Sequence, residues 1–166
     1  MLETERMMED AYKSLAAGDY INAFYLYNQQ ERSGEIKGIH IYNYALIFIR
    51  QGCYDEALEM LEKALREEKK KLFSNKGEST LVSVNRQYLE LLREEDKEGD
   101  FFKPLPYISD RVVDYYQICI KRMMVYCHYR MGNMGMFKMA MSELAREYGE
   151  ESFLGFIKLV RKEERK

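Results

Sequence analysis

Apolar side chains recur at helical spacing along most of the chain. Ala57, Leu61 and Ala64 lie three and four apart. Leu81, Val84, Tyr88, Leu91 and Leu92 share one face of a helix, and Phe153, Leu154, Phe156, Ile157 and Val160 form a stripe near the C-terminus. Spacing of this kind is the signature of amphipathic helices. It predicts helices over 3–17, 20–32, 38–51, 54–72, 79–95, 110 to about 131, 135–148 and 153–165, with nearly no strand. Breaks are expected at Ser33-Gly34, Gly38 and Ser74-Asn75-Lys76-Gly77, and Asp110 and Ser152 stand where helix caps would sit. Asp96 to Ser109 reads as a long irregular stretch, holding Phe101, Phe102, Tyr107 and both prolines, Pro104 and Pro106.

The first four helices carry a repeat. Ala17-Gly18-Asp19-Tyr20 with Ala23 is echoed by Gln51-Gly52-Cys53-Tyr54 with Ala57, each pair 34 residues apart. Glycine ends a helix well because it reaches positive φ without steric cost. Asp19 and Asp55 can cap or charge the first turn that follows. A methyl group at Ala23 or Ala57 lets two helices approach closely, with Tyr20 and Tyr54 wedged between them. One such hairpin cannot bury its own apolar face, so hairpins stack. The period predicts an all-α, right-handed superhelical stack of antiparallel helical hairpins, with about eight helices.

Asn43-Tyr44-Ala45, Phe48, Gly52, Tyr54, Ala57, Leu61, Ala64 and Leu65 resemble the tetratricopeptide repeat family. Ala11 falls on the family's small position in the first unit, as Ala45 does in the second. Met7 and Ile41 hold its tryptophan-like position, Gln30 replaces a late alanine, and Lys69 stands where a proline often closes the repeat. A weaker third unit resembles the pattern through Gly135-Met136-Phe137, Ala140 and Leu144, which puts His128 at a usually small position. The chain thus divides, within a single domain 1–166, into a first repeat 4–37, a second repeat 38–72, an inserted helix and loop 79–109, a weak third repeat 110–150 and a C-terminal capping helix 151–166.

In that family the first helices of successive hairpins line a concave face that holds an extended peptide. The resemblance places Tyr12, Tyr42, Asn43, Leu46 and Arg50 there, beside Met8, Leu15 and Ile39, and the third unit adds Arg122, Tyr126 and Tyr129. Asn43 matches an asparagine that bonds the peptide backbone in family members. The family's lysine–asparagine carboxylate clamp is not reproduced. These tyrosines could equally pack between helices.

Composition narrows the function. Hydrophobic residues make up 46% of the 166, prolines number two, and net charge is −2. Such a chain favours helix and has no global attraction to nucleic acid or an anionic membrane. Cys53, Cys119 and Cys127 show no metal or redox spacing. Cys119 and Cys127 would stand about 12 Å apart along one helix, too far for a disulfide. Reduced thiols and no signal-like N-terminus point to a cytoplasmic protein. His40 and His128 are far apart in sequence, and no HExxH, phosphate-binding glycine loop or nucleophile elbow is present. The expectation is a non-enzymatic scaffold or adaptor with no cofactor and no metal. Its partner would be a protein or peptide, with a homodimer among the candidates. A secretion chaperone of tetratricopeptide type and a helical sensor or regulatory partner are the alternatives. The 96–109 loop is read either as a lid or as aromatics tucked onto the helices. The C-terminal stripe, flanked by Lys158, Arg161 and Lys162, is read as a solenoid cap or as a basic amphipathic surface helix.

Overall fold

A computed structural model of the chain describes residues 2–34, 36–74, 90–97, 99–108 and 113–164. Its helices are α1 (Leu2–Ala16), α2 (Tyr20–Arg32), α3 (Gly38–Arg50), α4 (Tyr54–Ser74), α5 (90–97), α6 (Val113–Arg130) and α7 (Met134–Tyr148). A 3-10 turn, Glu150–Phe153, leads into α8 (Leu154–Glu164). The described residues are helix and connection, with no strand among them. Most of the expected 79–95 helix, the 75–77 turn and the Asp110 cap lie outside the described residues.

Three hairpins share one turn. After α1, α3 and α6 the chain passes through Gly18, Gly52 and Gly132, at φ 86°, 78° and 76°. Each glycine N–H bonds the carbonyl three residues back, on Leu15, Ile49 and Tyr129. Each following N–H bonds the carbonyl five back, on Ser14, Phe48 and His128, and all six bonds measure 2.8–3.1 Å. This closure satisfies the last carbonyls of a helix and needs a left-handed residue at its corner. The next helix then starts on a cap. The Asp19 carboxylate accepts from the Asn22 N–H, and the Asn133 side chain accepts in the same way from the Met136 N–H. Cys53 takes the equivalent place before α4, where Asp55 and Glu56 charge the first turn instead.

The third turn corrects the expected register by three residues. Its corner is Gly132, while Gly135 lies inside α7 with open space around it. Counted from Gly132, Val125 corresponds to Ala45 and Ala11, and Phe137 corresponds to Ala57 and Ala23. His128 is therefore not at a small-residue position.

Stacking repeats as well. α1 packs on α2, α3 on α4, and α6 on α7. Between hairpins, α3 meets both α1 and α2, and α6 meets both α3 and α4. An arginine closing one hairpin's first helix lies over the tyrosine opening the previous hairpin's second helix: Arg50 over Tyr20 at 4.7 Å, Arg130 over Tyr54 at 5.3 Å. Ala23 and Ala57 are fully buried, as close hairpin packing requires. Phe24 and Tyr27 of α2 meet Tyr44 and Phe48 of α3 through ring contacts of 5.6–6.0 Å.

The C-terminal stripe is used inside the molecule. Phe153, Phe156 and Val160 of the last turn and α8 are buried, while Lys158, Arg161 and Lys162 face water. Phe156 meets Phe101 edge-on at 5.6 Å. The Asp96 carboxylate accepts from the N–H groups of Gly155 (2.7 Å) and Phe156 (3.2 Å). A negative group at a helix start, satisfying otherwise unpaired donors, is a cap. The sequence pointed to Ser152 for this role, but Ser152 sits within the 3-10 turn and the cap comes from across the fold. Any Cβ at position 155 would run into the Asp96 carbonyl, so this approach needs glycine.

Candidate functional site

Much of the face that α3 and α6 were expected to present as a groove is covered. Residues 99–108, here called the strap, run without helix or strand from α5 across α3 and α6. Asn43 on α3 grips the strap main chain with both ends of its amide. Its Nδ2 donates to the Leu105 carbonyl and its Oδ1 accepts from the Leu105 N–H, each at 2.8 Å. Asn43 is 1% exposed. Buried main-chain groups must be paired, and one side chain pairs both groups of Leu105.

Tyr116 on α6 holds the next residues. Its hydroxyl accepts from the Ile108 N–H at 2.7 Å and faces the Pro106 carbonyl as donor at 3.3 Å. Phe101 and Leu105 are buried anchors. The Arg122 guanidinium lies 5.1 Å from the Phe101 ring centre and 6.0 Å from that of Phe156. Phe102 packs edge-on against Tyr126 at 5.0 Å. At the strap's other end Lys37 stands over the Tyr107 ring at 4.0 Å, with His40 6.2 Å from it. Of the two readings of this loop, its aromatics Phe101 and Phe102 do tuck onto the helices.

The burial corrects the picture of an open groove. Tyr42 (1% exposed) and Leu46 (2%) are core. Arg122 and Tyr126 are buried too, Tyr126 between Phe102 and Tyr54. Arg50 is exposed but sits at the turn end of α3, stacked on Tyr20. Tyr129 packs at 5.4 Å on Phe137 of α7. Met8, Leu15 and Ile39 are buried. Of the eight residues expected to form a peptide groove, Tyr12 and Asn43 reach the cleft that the strap leaves.

That cleft has a volume of about 960 Å³. Tyr12, Met8 and Glu9 of α1 form one wall, His40 and Asn43 of α3 another, and Leu105, Pro106 and Tyr107 close one end. Its rim is charged with both signs and largely self-paired. Lys13 bridges Glu9 at 3.1 Å, Lys70 bridges Glu67 at 3.0 Å, and Lys71 bridges Glu68 at 2.9 Å. Exposed pairs such as Lys13–Glu9 add little stability. Sequence reasoning missed Pro106, Tyr116 and the strap's route. The two prolines were the signal: they exclude helix and strand, so this chain had to be held by side chains.

Burial sets the electrostatics of the inner side chains. Burial drives the Tyr42 and Tyr115 hydroxyls well above their usual range, and nearby Cys119 adds to both shifts; Arg122 works the other way on Tyr42. Burial also pushes the Cys119 thiol up to about 11 and Cys127 up to about 12. These groups stay neutral near pH 7, the opposite of an activated nucleophile. Among the described residues no three His, Cys, Asp or Glu side chains gather as metal ligands, and no helix is long and apolar enough to cross a membrane. What the arrangement does chemically is bind main chain. No family model, curated protein or solved structure matches the chain.

Proposed function

We propose that the protein is a non-catalytic, cytoplasmic protein-binding scaffold or adaptor. In this reading it is a tetratricopeptide-like, right-handed superhelical stack of hairpins that takes a partner's extended segment along the inner face of α1 and α3. The observation that carries the reading is the Asn43 amide, which holds a non-helical stretch of main chain by two hydrogen bonds. It matches what the resemblance implies for that position. The repeated turns at Gly18, Gly52 and Gly132 and the repeated arginine–tyrosine stacking support the hairpin array. The adjoining cleft supplies room for a segment, with Tyr12 and His40 as anchors. Aromatic side chains make good anchors because they bury much area with few torsions to fix.

Selection of binders from a random displayed-peptide library tests this. The expected outcome is a family of related peptides whose affinity falls roughly tenfold for Tyr12→Ala or His40→Ala, the size typical of an interface anchor, at unchanged melting temperature. Selected peptides that bind both variants as tightly as the natural chain would place binding elsewhere. A selection yielding no peptide at all would end the reading of the cleft as a binding site.

A further inference from the structure

The strap carries its own recognition chemistry. Proline stands on each side of Leu105 and has no N–H. The Leu105 N–H is therefore the lone main-chain donor between Lys103 and Tyr107, and Asn43 takes that donor together with the carbonyl of the same residue. The Leu105 side chain is 4% exposed, and Phe101, four residues earlier, is 3% exposed against Phe156 and Arg122. Main-chain pairing at one residue, flanked by apolar anchors in buried sites, is how a groove reads an extended peptide.

We infer that the inner face of α3 and α6 is a receptor for an aromatic-x-x-x-Leu-Pro segment. Residues 101–108 occupy it in cis, as an internal ligand that a partner segment of the same chemistry displaces. The inference rests on the protein-binding reading above and adds to it the chemistry of the partner. A tethered ligand competes at an effective concentration on the order of millimolar. A free segment therefore binds the intact chain weakly, and binds well once the strap is loosened.

The probe is a fluorescently labelled peptide with the sequence of residues 99–108, Gly-Asp-Phe-Phe-Lys-Pro-Leu-Pro-Tyr-Ile, measured by polarisation. Leu105→Ala in the protein is expected to raise the peptide's affinity at least tenfold over the natural chain. Adding Asn43→Ala abolishes the gain, and a peptide with alanine at its leucine shows none. A folded Leu105→Ala protein with no gain overturns the inference. Native-state hydrogen exchange on the unaltered chain decides the case in which Leu105→Ala does not fold. The Leu105 amide is expected to exchange at least tenfold faster than the Ile47 amide of α3, because the strap opens on its own. Exchange of both at one rate would make the strap a fixed part of the core and overturn the inference. Library peptides that depend on Tyr12 would then leave the cleft reading standing. Conversely, trans binding to Leu105→Ala with no library binder would remove only the cleft reading.

Discussion

α1 and α3 each open a hairpin and end in the same glycine turn, yet they live in different surroundings. α1 buries Met8, Ala11 and Leu15 and leaves its other faces to water or to the cleft. α3 buries every residue except His40, Phe48 and Arg50. It has α1 and α2 on one flank, α4 beside it, and α6 and the strap over its inner face. Equivalent positions therefore differ in surroundings: Tyr12 lines the cleft, whereas Leu46, 34 residues on, is buried in the core. Position in a repeat sets where a side chain points, and the neighbours decide whether anything else can reach it.

The sharpest way to break this comparison is to truncate one tyrosine on each helix. Tyr42→Ala empties a site among Cys119, Arg122 and Tyr115, and should cost about 3–5 kcal/mol of stability, as large aromatic truncations in cores do. Tyr12→Ala, on a half-exposed position, should stay within about 0.5 kcal/mol. Chemical denaturation of the two variants decides. Equal losses would mean that the inner face of α1 is as buried as that of α3.

The next effect belongs to the non-repetitive side. Asp96→Ala removes the cap on α8 and leaves the Gly155 and Phe156 donors unpaired. A loss of about 1–2 kcal/mol is expected. Hydrogen exchange should show it first in α8, while the amides of α3 and α4 keep their order of protection. A loss spread evenly over all helices would show that α8 and the hairpins unfold as one unit.

Alanine at Gly18, Gly52 or Gly132 sharpens the comparison from the repeat side. Each position needs positive φ, and none has a neighbour within 4 Å of the added Cβ, so strain alone sets the cost. It should be about 1 kcal/mol and similar at all three. Melting temperatures that split the three variants widely would contradict the shared turn.

The smallest effect is read by thiol chemistry. Cys53 in the α3–α4 turn is half-buried, while Cys119 and Cys127 are fully buried. A maleimide at pH 7.5 should label Cys53 alone in the folded protein. Cys119 and Cys127 hold protons more tightly folded than unfolded, because burial raises both above the ordinary 9.0. Their contribution to stability is whole below pH 9 and is lost as pH rises through about 11 and 12. A denaturation midpoint that rises between pH 9 and 11 would reverse that sign.

Helices and the first two turns were legible in sequence because both signals are local. Apolar spacing marks a helix face, and Gly18-Asp19 or Gly52 marks a corner. The third corner was misread by one turn because two glycines, Gly132 and Gly135, stand three residues apart. Only the first must take positive φ, and Asn133 beside it, the counterpart of Asp19, was the overlooked cap. Asn43 was recognisable as a main-chain binder, but its partner 62 residues away was not. Leu105 belongs to a stretch without periodicity, so nothing in its own neighbours says which helix will hold it. The same holds for Asp96, whose position at the end of a helix full of acids gives no sign that α8 will start on it.

The distance in sequence between Asn43 and Leu105 also bears on how the chain folds. Hairpin contacts close short loops and form early, whereas the strap must wait for α3 and α6 to be in place, since long loops carry a larger closure entropy. Strap docking then falls after the rate-limiting step. Loosening it with Leu105→Ala should speed unfolding in stopped-flow experiments while leaving the refolding rate unchanged; slowed refolding would put the strap in the nucleus. With docking late, the protein's lifetime in the folded state is expected to be set largely by a segment of ten residues that contributes no helix.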